Sequence, residues 1–126
     1  MENSTMQRGP EQWFLDAHPE RGSVRVQVST GRGLFPVEGA RVEIYRRLGP
    51  EPTVFYEGVT DASGIAEDIR LPALPAGWSQ SAETAGISGT VYQVSVRHPQ
   101  HGTVEGRPVT VFPRIETVLA VSLGSA

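Results

Sequence analysis

The stretch Gly22-Ser23-Val24-Arg25-Val26-Gln27-Val28-Ser29 alternates apolar and polar side chains. A period of two sends successive side chains to opposite faces of an extended strand, so this run fits a half-buried strand and not a helix. The same alternation returns at Val42 and Ile44, at Tyr92, Val94 and Val96, and at Leu119, Val121 and Leu123. Less regular runs at 53–60 and 65–71 read as further strands. Residues 103–112 make one strand, or two broken at Gly106. Turn signals separate the runs: Gly31-Arg32-Gly33, Gly49-Pro50, Asp61-Ala62-Ser63-Gly64, Pro99, Gly102 and Pro113. About seven short strands at this spacing predict a single antiparallel β-sandwich, an all-β fold. The predicted inward face comprises Val24, Val26, Val28, Val42, Ile44, Ile69, Tyr92, Val94, Val96, Val111, Leu119 and Val121. A slip of one residue would turn each of these sets outward.

Two motifs punctuate the strands. Pro36 fixes its own φ and donates nothing to a ladder, while Gly39 opens backbone conformations closed to other residues. Together they turn the chain and launch a strand at Ala40. Asp61 and Gly64 occupy the first and last positions of a four-residue turn, where these residue types are favoured and where Asp61 can bind its own backbone.

Two segments stand outside the pattern. Residues 1–21 form a polar arm ahead of a domain at 22–126, and the arm carries Trp13, Phe14 and Leu15 in a row. Residues 10–17 suit a short helix, since Pro10 fits a first helical position. The second segment is the long connection PALPAGWSQSAETAGISG, residues 72–89, with Trp78 among Pro, Gly and Ser. Connections of that length are usually functional or disordered.

The string Gly22-Ser23-Val24-Arg25-Val26-Gln27-Val28, followed by Pro36-Val37-Glu38-Gly39-Ala40-Arg41-Val42, Thr60-Asp61-Ala62-Ser63-Gly64 and Leu71-Pro72, resembles the carboxypeptidase regulatory-like domain. Tyr92-Gln93-Val94-Ser95-Val96 and Leu119-Ala120-Val121-Ser122-Leu123 continue the resemblance, which spans residues 22–123. It implies a transthyretin-like (prealbumin-like) sandwich and a module that is mainly non-catalytic. An enzyme family shares that sandwich, the transthyretin-like hydroxyisourate hydrolases, which end in Tyr-Arg-Gly-Ser and need a first-strand histidine. This chain ends Ser122-Leu123-Gly124-Ser125-Ala126 and carries Val26, Gln27 and Val28 in that strand, so the resemblance does not transfer the activity.

The chemistry-bearing residues point the same way. There is no Cys, hence no thiolate nucleophile or ligand. All 11 basic residues are Arg, so a Lys-based isopeptide bond cannot form. Gly86-Ile87-Ser88-Gly89 falls one residue short of a nucleophile elbow, and no phosphate loop is present. His98 and His101 sit on a turn where, with Glu105, they offer only a loose metal set. No metal, cofactor or catalytic residue is therefore expected. With a net charge of -3 and no basic stripe, a nucleic-acid partner is not expected either. No run reaches the roughly 18 apolar residues of a membrane span, and the N-terminus lacks the apolar core of a signal peptide. The expectation is synthesis in the cytoplasm, with the final location open.

The chain is thus expected to be a structural or assembly subunit, a homo-oligomer within a surface, spore or phage-like particle. It would associate through sheet edges and through Trp13, Phe14 and Leu15. The alternative is a module binding carbohydrate or protein, with Trp78, His98 and His101 as the ligand surface.

Overall fold

The computed structural model describes residues 10–18, 20–31, 33–73 and 89–124. Helix α1 (Pro10–Ala17) leads into strands β1 (Glu20–Thr30), β2 (Phe35–Pro36), β3 (Arg41–Arg47), β4 (Pro52–Val59), β5 (Ile65–Ala73), β6 (Thr90–His98), β7 (Gly102–Val111) and β8 (Glu116–Ser122). They make two four-stranded sheets. In the first, β1 is central, flanked by β5 and β8, with β2 pairing at its end. The second runs β4-β3-β6-β7.

The core lies between the sheets, as the alternation predicts. Every inward position named above is buried, and Val118, on the opposite parity, is 52% exposed. Among the described residues Tyr92 is the largest fully buried side chain, and its hydroxyl donates to Pro72 O at 2.6 Å, tying β6 to β5. Burial holds that hydroxyl protonated, far above the ordinary tyrosine range.

The Pro36–Ala40 segment is a strand-launching turn. Val37 N donates to Val28 O at 3.0 Å, and Gly39, at φ +77°, donates to Thr60 O at 3.0 Å. Gly64 closes the second turn onto Asp61 O at 2.9 Å, while Asp61 Oδ1 accepts from Ser63 N and Ile65 N.

Three features depart from the sequence expectation. The β1–β8 pairing is parallel, with Val26 opposite Leu119, whereas the other described pairings are antiparallel. Alternation is the same in both directions, so a period of two cannot tell them apart. Edge strands β5, β4 and β7 each carry a register shift. In β7 the extra residues are Glu105 and Gly106, opposite Ser95, so Gly106 bends one strand and does not break it in two. Finally, the described part of the arm, from Pro10 on, packs on the sandwich. Phe14 joins the core cluster and β1 starts at Glu20, so the core begins before Val24 and the boundary drawn at residue 22 falls inside a strand.

Candidate functional site

Three surfaces carry the chemistry-bearing residues. The first is the end of the sandwich capped by α1. An eight-residue helix makes little more than two turns and turns 100° per residue, so three consecutive apolar side chains cannot share one face. Phe14 turns inward and is 7% exposed, Leu15 is half-buried, and Trp13 is left 66% exposed. The Phe14 ring meets Phe55 edge-on at 5.6 Å and Tyr92 at 6.2 Å, and stacks on His18 at 3.9 Å. The Arg46 guanidinium lies 5.1 Å over the same ring, and its Nη1 donates to Val91 O. His18 Nδ1 lies 2.7 Å from Phe14 O, fixing the imidazole against the helix C-terminus. Burial, followed by the positive Arg46, lowers the His18 pKa below its ordinary 6.5, against the raising effect of the Phe14 hydrogen bond. Of the three expected interaction residues, Phe14 is therefore a residue of its own domain's core. Trp13 remains on the surface.

The second surface is the opposite end, at the β6–β7 turn. His98 and His101 are brought together there, ring centroids 4.8 Å apart, with His101 N donating to His98 O at 3.2 Å. Gln100 N lies 3.1 Å from His98 Nδ1, which occupies that nitrogen. The two residues line different grooves. His98 lines one of about 470 Å³ with Arg41, Val59, Arg97 and Pro99. His101 lines one of about 590 Å³ with Thr30, Val104 and Ser122. No group of three or more His, Cys, Asp or Glu residues able to hold a metal occurs among the described residues. Trp78, and the near-elbow serine Ser88, lie outside the described residues.

The third surface was not anticipated. A cleft of about 470 Å³ is lined by Glu20, Arg21, Gly22, Ser23, Asp68, Arg70, Arg114 and Glu116. Asp68 and Arg114, the described non-glycine residues with left-handed backbone, both at φ 62°, border it. Asp68 belongs to the β5 bulge, which opposes Glu67 and Asp68 to the single residue Arg25. Bulges of this kind re-aim side chains. Arg114 N donates to Arg21 O at 2.8 Å and Ser23 N to Ile115 O at 3.1 Å, clamping the β7–β8 turn onto β1. Gly22 is required at that crossing, because a Cβ there would stand 2.1 Å from Phe112 O. The cleft draws on separate segments of the chain, and only the β7–β8 turn, with Arg114 next to Pro113, coincides with a turn signal in the sequence.

No protein-family model matches the sequence, and no curated protein matches it. Among solved structures, the chain is similar to an (S)-allantoin synthase, with a TM-score of 0.50 and 15% identity over 87% of this chain and 43% of that one. It also matches a 9R-lipoxygenase from Cyanothece PCC8801, with a TM-score of 0.40 and 14% identity over 85% of this chain and 17% of the other. The chain spans less than half the length of either. At these identities the likeness concerns the fold alone.

Proposed function

We propose that this chain is a non-catalytic assembly module of the carboxypeptidase regulatory-like kind, which associates with further copies of itself within a larger structure. The observation that carries this reading is the position of Trp13. Phe14 anchors α1 in the core, so the neighbouring indole cannot fold inward and stands 66% exposed. A large aromatic held rigidly in water is a typical interface anchor. Helix α1 thus contributes as a display of Trp13, and not as a helix released to a neighbour. Trp13→Ser tests the reading by static light scattering: the parent should show mass above that of a single chain, and the variant should show it only at higher concentration while keeping its thermal midpoint.

A second reading, a ligand-binding module, draws on the charged cleft. Asp68, Arg70 and Glu116 make no ion pair there with other described residues. The β5 end that leads toward Trp78 pairs with Glu20 at the cleft. Carbohydrate and peptide arrays probed with the parent, Trp78→Ala and Arg70→Ala test it; binding unchanged in both variants rejects it.

A further inference from the structure

Four charges on the outward face of the second sheet fall in two rows, with Arg47 apart from them at the end of β3. Arg41 on β3 lies directly across from Arg97 on β6, and two residues along the strand Glu43 on β3 lies directly across from Glu57 on β4. Like charges set opposite one another destabilise a sheet face. Each row finds counter-charge only in the other. Arg41 Nη2 is 3.0 Å from Glu57 Oε2, and Arg97 Nη2 is 3.8 Å from Glu43 Oε2. Both arginines keep about half their side-chain surface in solvent, 50% and 55%. Apolar side chains flank the rows: Val59 opposite Arg41, and Val54 opposite Tyr45, at 59% and 50% exposure.

We propose that this face joins two copies of the chain, related by a two-fold axis that lies in the plane of the face and crosses the strands between the two rows. This inference rests on the reading that the chain self-associates, and adds a second surface to the one that displays Trp13. The operation lays each arginine row along the partner's glutamate row, offset by one strand: Arg41 faces the partner's Glu43, while Arg97 and Glu57 lie one strand spacing from the nearest counter-charge of the other copy, so four charges per copy join one eight-charge network. Any other partner would have to bring the inverse pattern, whereas a second copy supplies it by symmetry alone. The face is large enough. Four strands spaced about 4.8 Å apart and seven to ten residues long, at about 3.4 Å per residue, give a plane of about 500 Å², which side-chain relief brings toward the roughly 800 Å² per partner of an ordinary interface. Of the sheet edges, β5, β4 and β7 carry bulges that turn an edge aside, which leaves β8 as the edge without one.

The test uses two double variants, Arg41→Glu/Arg97→Glu and Glu43→Arg/Glu57→Arg, with sedimentation equilibrium of each alone and of their equimolar mixture. Each alone should dimerise at least 100-fold more weakly than the parent, and the mixture should recover a dimer. Recovery also shows that both variants are folded. The parent's own dissociation constant should rise about tenfold from 50 to 500 mM salt, as expected for screened charges. A parent dimer that neither charge reversal nor salt weakens overturns this face while leaving self-association standing. Variants that stay apart when mixed overturn it as well. A parent that is monomeric throughout removes both this inference and the assembly reading.

Discussion

The hydroxyl of Thr60 donates to the carbonyl of Val37 at 2.6 Å, in a buried site between the β2–β3 connection and the end of β4. The same oxygen accepts from Ala40 N at 2.9 Å. One side chain thus satisfies the two backbone groups that the Pro36–Ala40 turn leaves unpaired. Thr60→Val keeps the shape and strands both. The expected loss is about 2–4 kcal/mol, from the roughly 1–3 kcal/mol cost of each buried unpaired group. Thr60→Ser should lose much less. Urea unfolding midpoints check this, and equal stability of Val and Ser at position 60 would contradict it.

Phe14 and Trp13 should behave as opposites. Phe14→Ala removes a buried ring that touches Phe55 and Tyr92, and large aromatic truncations cost about 3–5 kcal/mol. The helix can lift away to relieve part of the cavity, so the lower end is expected. Trp13→Ala should leave the unfolding midpoint within a fraction of a kcal/mol, since exposed positions seldom matter more. For the same reason, removing residues 1–21 should destabilise the domain, because it takes Phe14 and the first residues of β1. Thermal unfolding of the three variants separates these outcomes.

His18 gives the stability a pH dependence of definite sign. Its folded pKa lies below its ordinary 6.5 because burial and Arg46 disfavour the charged ring. The neutral form therefore contributes stability that is complete above about pH 6.5 and is lost as pH falls through the lower, folded value. Protonation sets a cation beside Arg46 and against the Phe14 ring, so α1 should loosen first. The fall in stability on acidification should be shallower in His18→Gln. A parallel fall in parent and variant would assign the acid sensitivity elsewhere.

Gly22 permits β1 to pass under the β7–β8 turn. An alanine methyl there would meet Phe112 O at 2.1 Å and the Val111 side chain at 2.6 Å. Backbone atoms must move to admit it, so Gly22→Ala should be among the most destabilising single changes in the chain. Gly33→Ala, where no atom lies within 4 Å but φ is +89°, should cost only the strain of that backbone, about 1–2 kcal/mol. Denaturation curves of the pair rank the two effects.

The strand faces were legible because burial on one side of a strand imposes a period of two, and Val24, Val26 and Val28 or Tyr92, Val94 and Val96 obey it without exception. The turns at Pro36–Ala40 and Asp61–Gly64 were legible because their residues are chosen by local backbone geometry. What stayed hidden depends on partners distant in sequence. Nothing near Trp13-Phe14-Leu15 says which of the three faces Tyr92, because that is decided by how the helix lands on the sandwich. The parallel direction of β8 leaves no mark on its alternation. Arg41 and Arg97 become neighbours only through the β3–β6 pairing, so the charge rows exist in the fold and not along the chain. The cleft at Asp68 arises from a bulge, which inserts a residue without disturbing the sequence pattern enough to announce itself.

Self-association of the intact protein is the central claim, and its mass in solution tests it most directly. Sedimentation equilibrium should be run from micromolar to near-millimolar concentration, on the parent and on Trp13→Ser. The account predicts a parent mass that climbs from the 13.6 kDa of one chain to at least twice that value, with the rise shifted to higher concentration in the variant. A single species of 13.6 kDa at every concentration would contradict it.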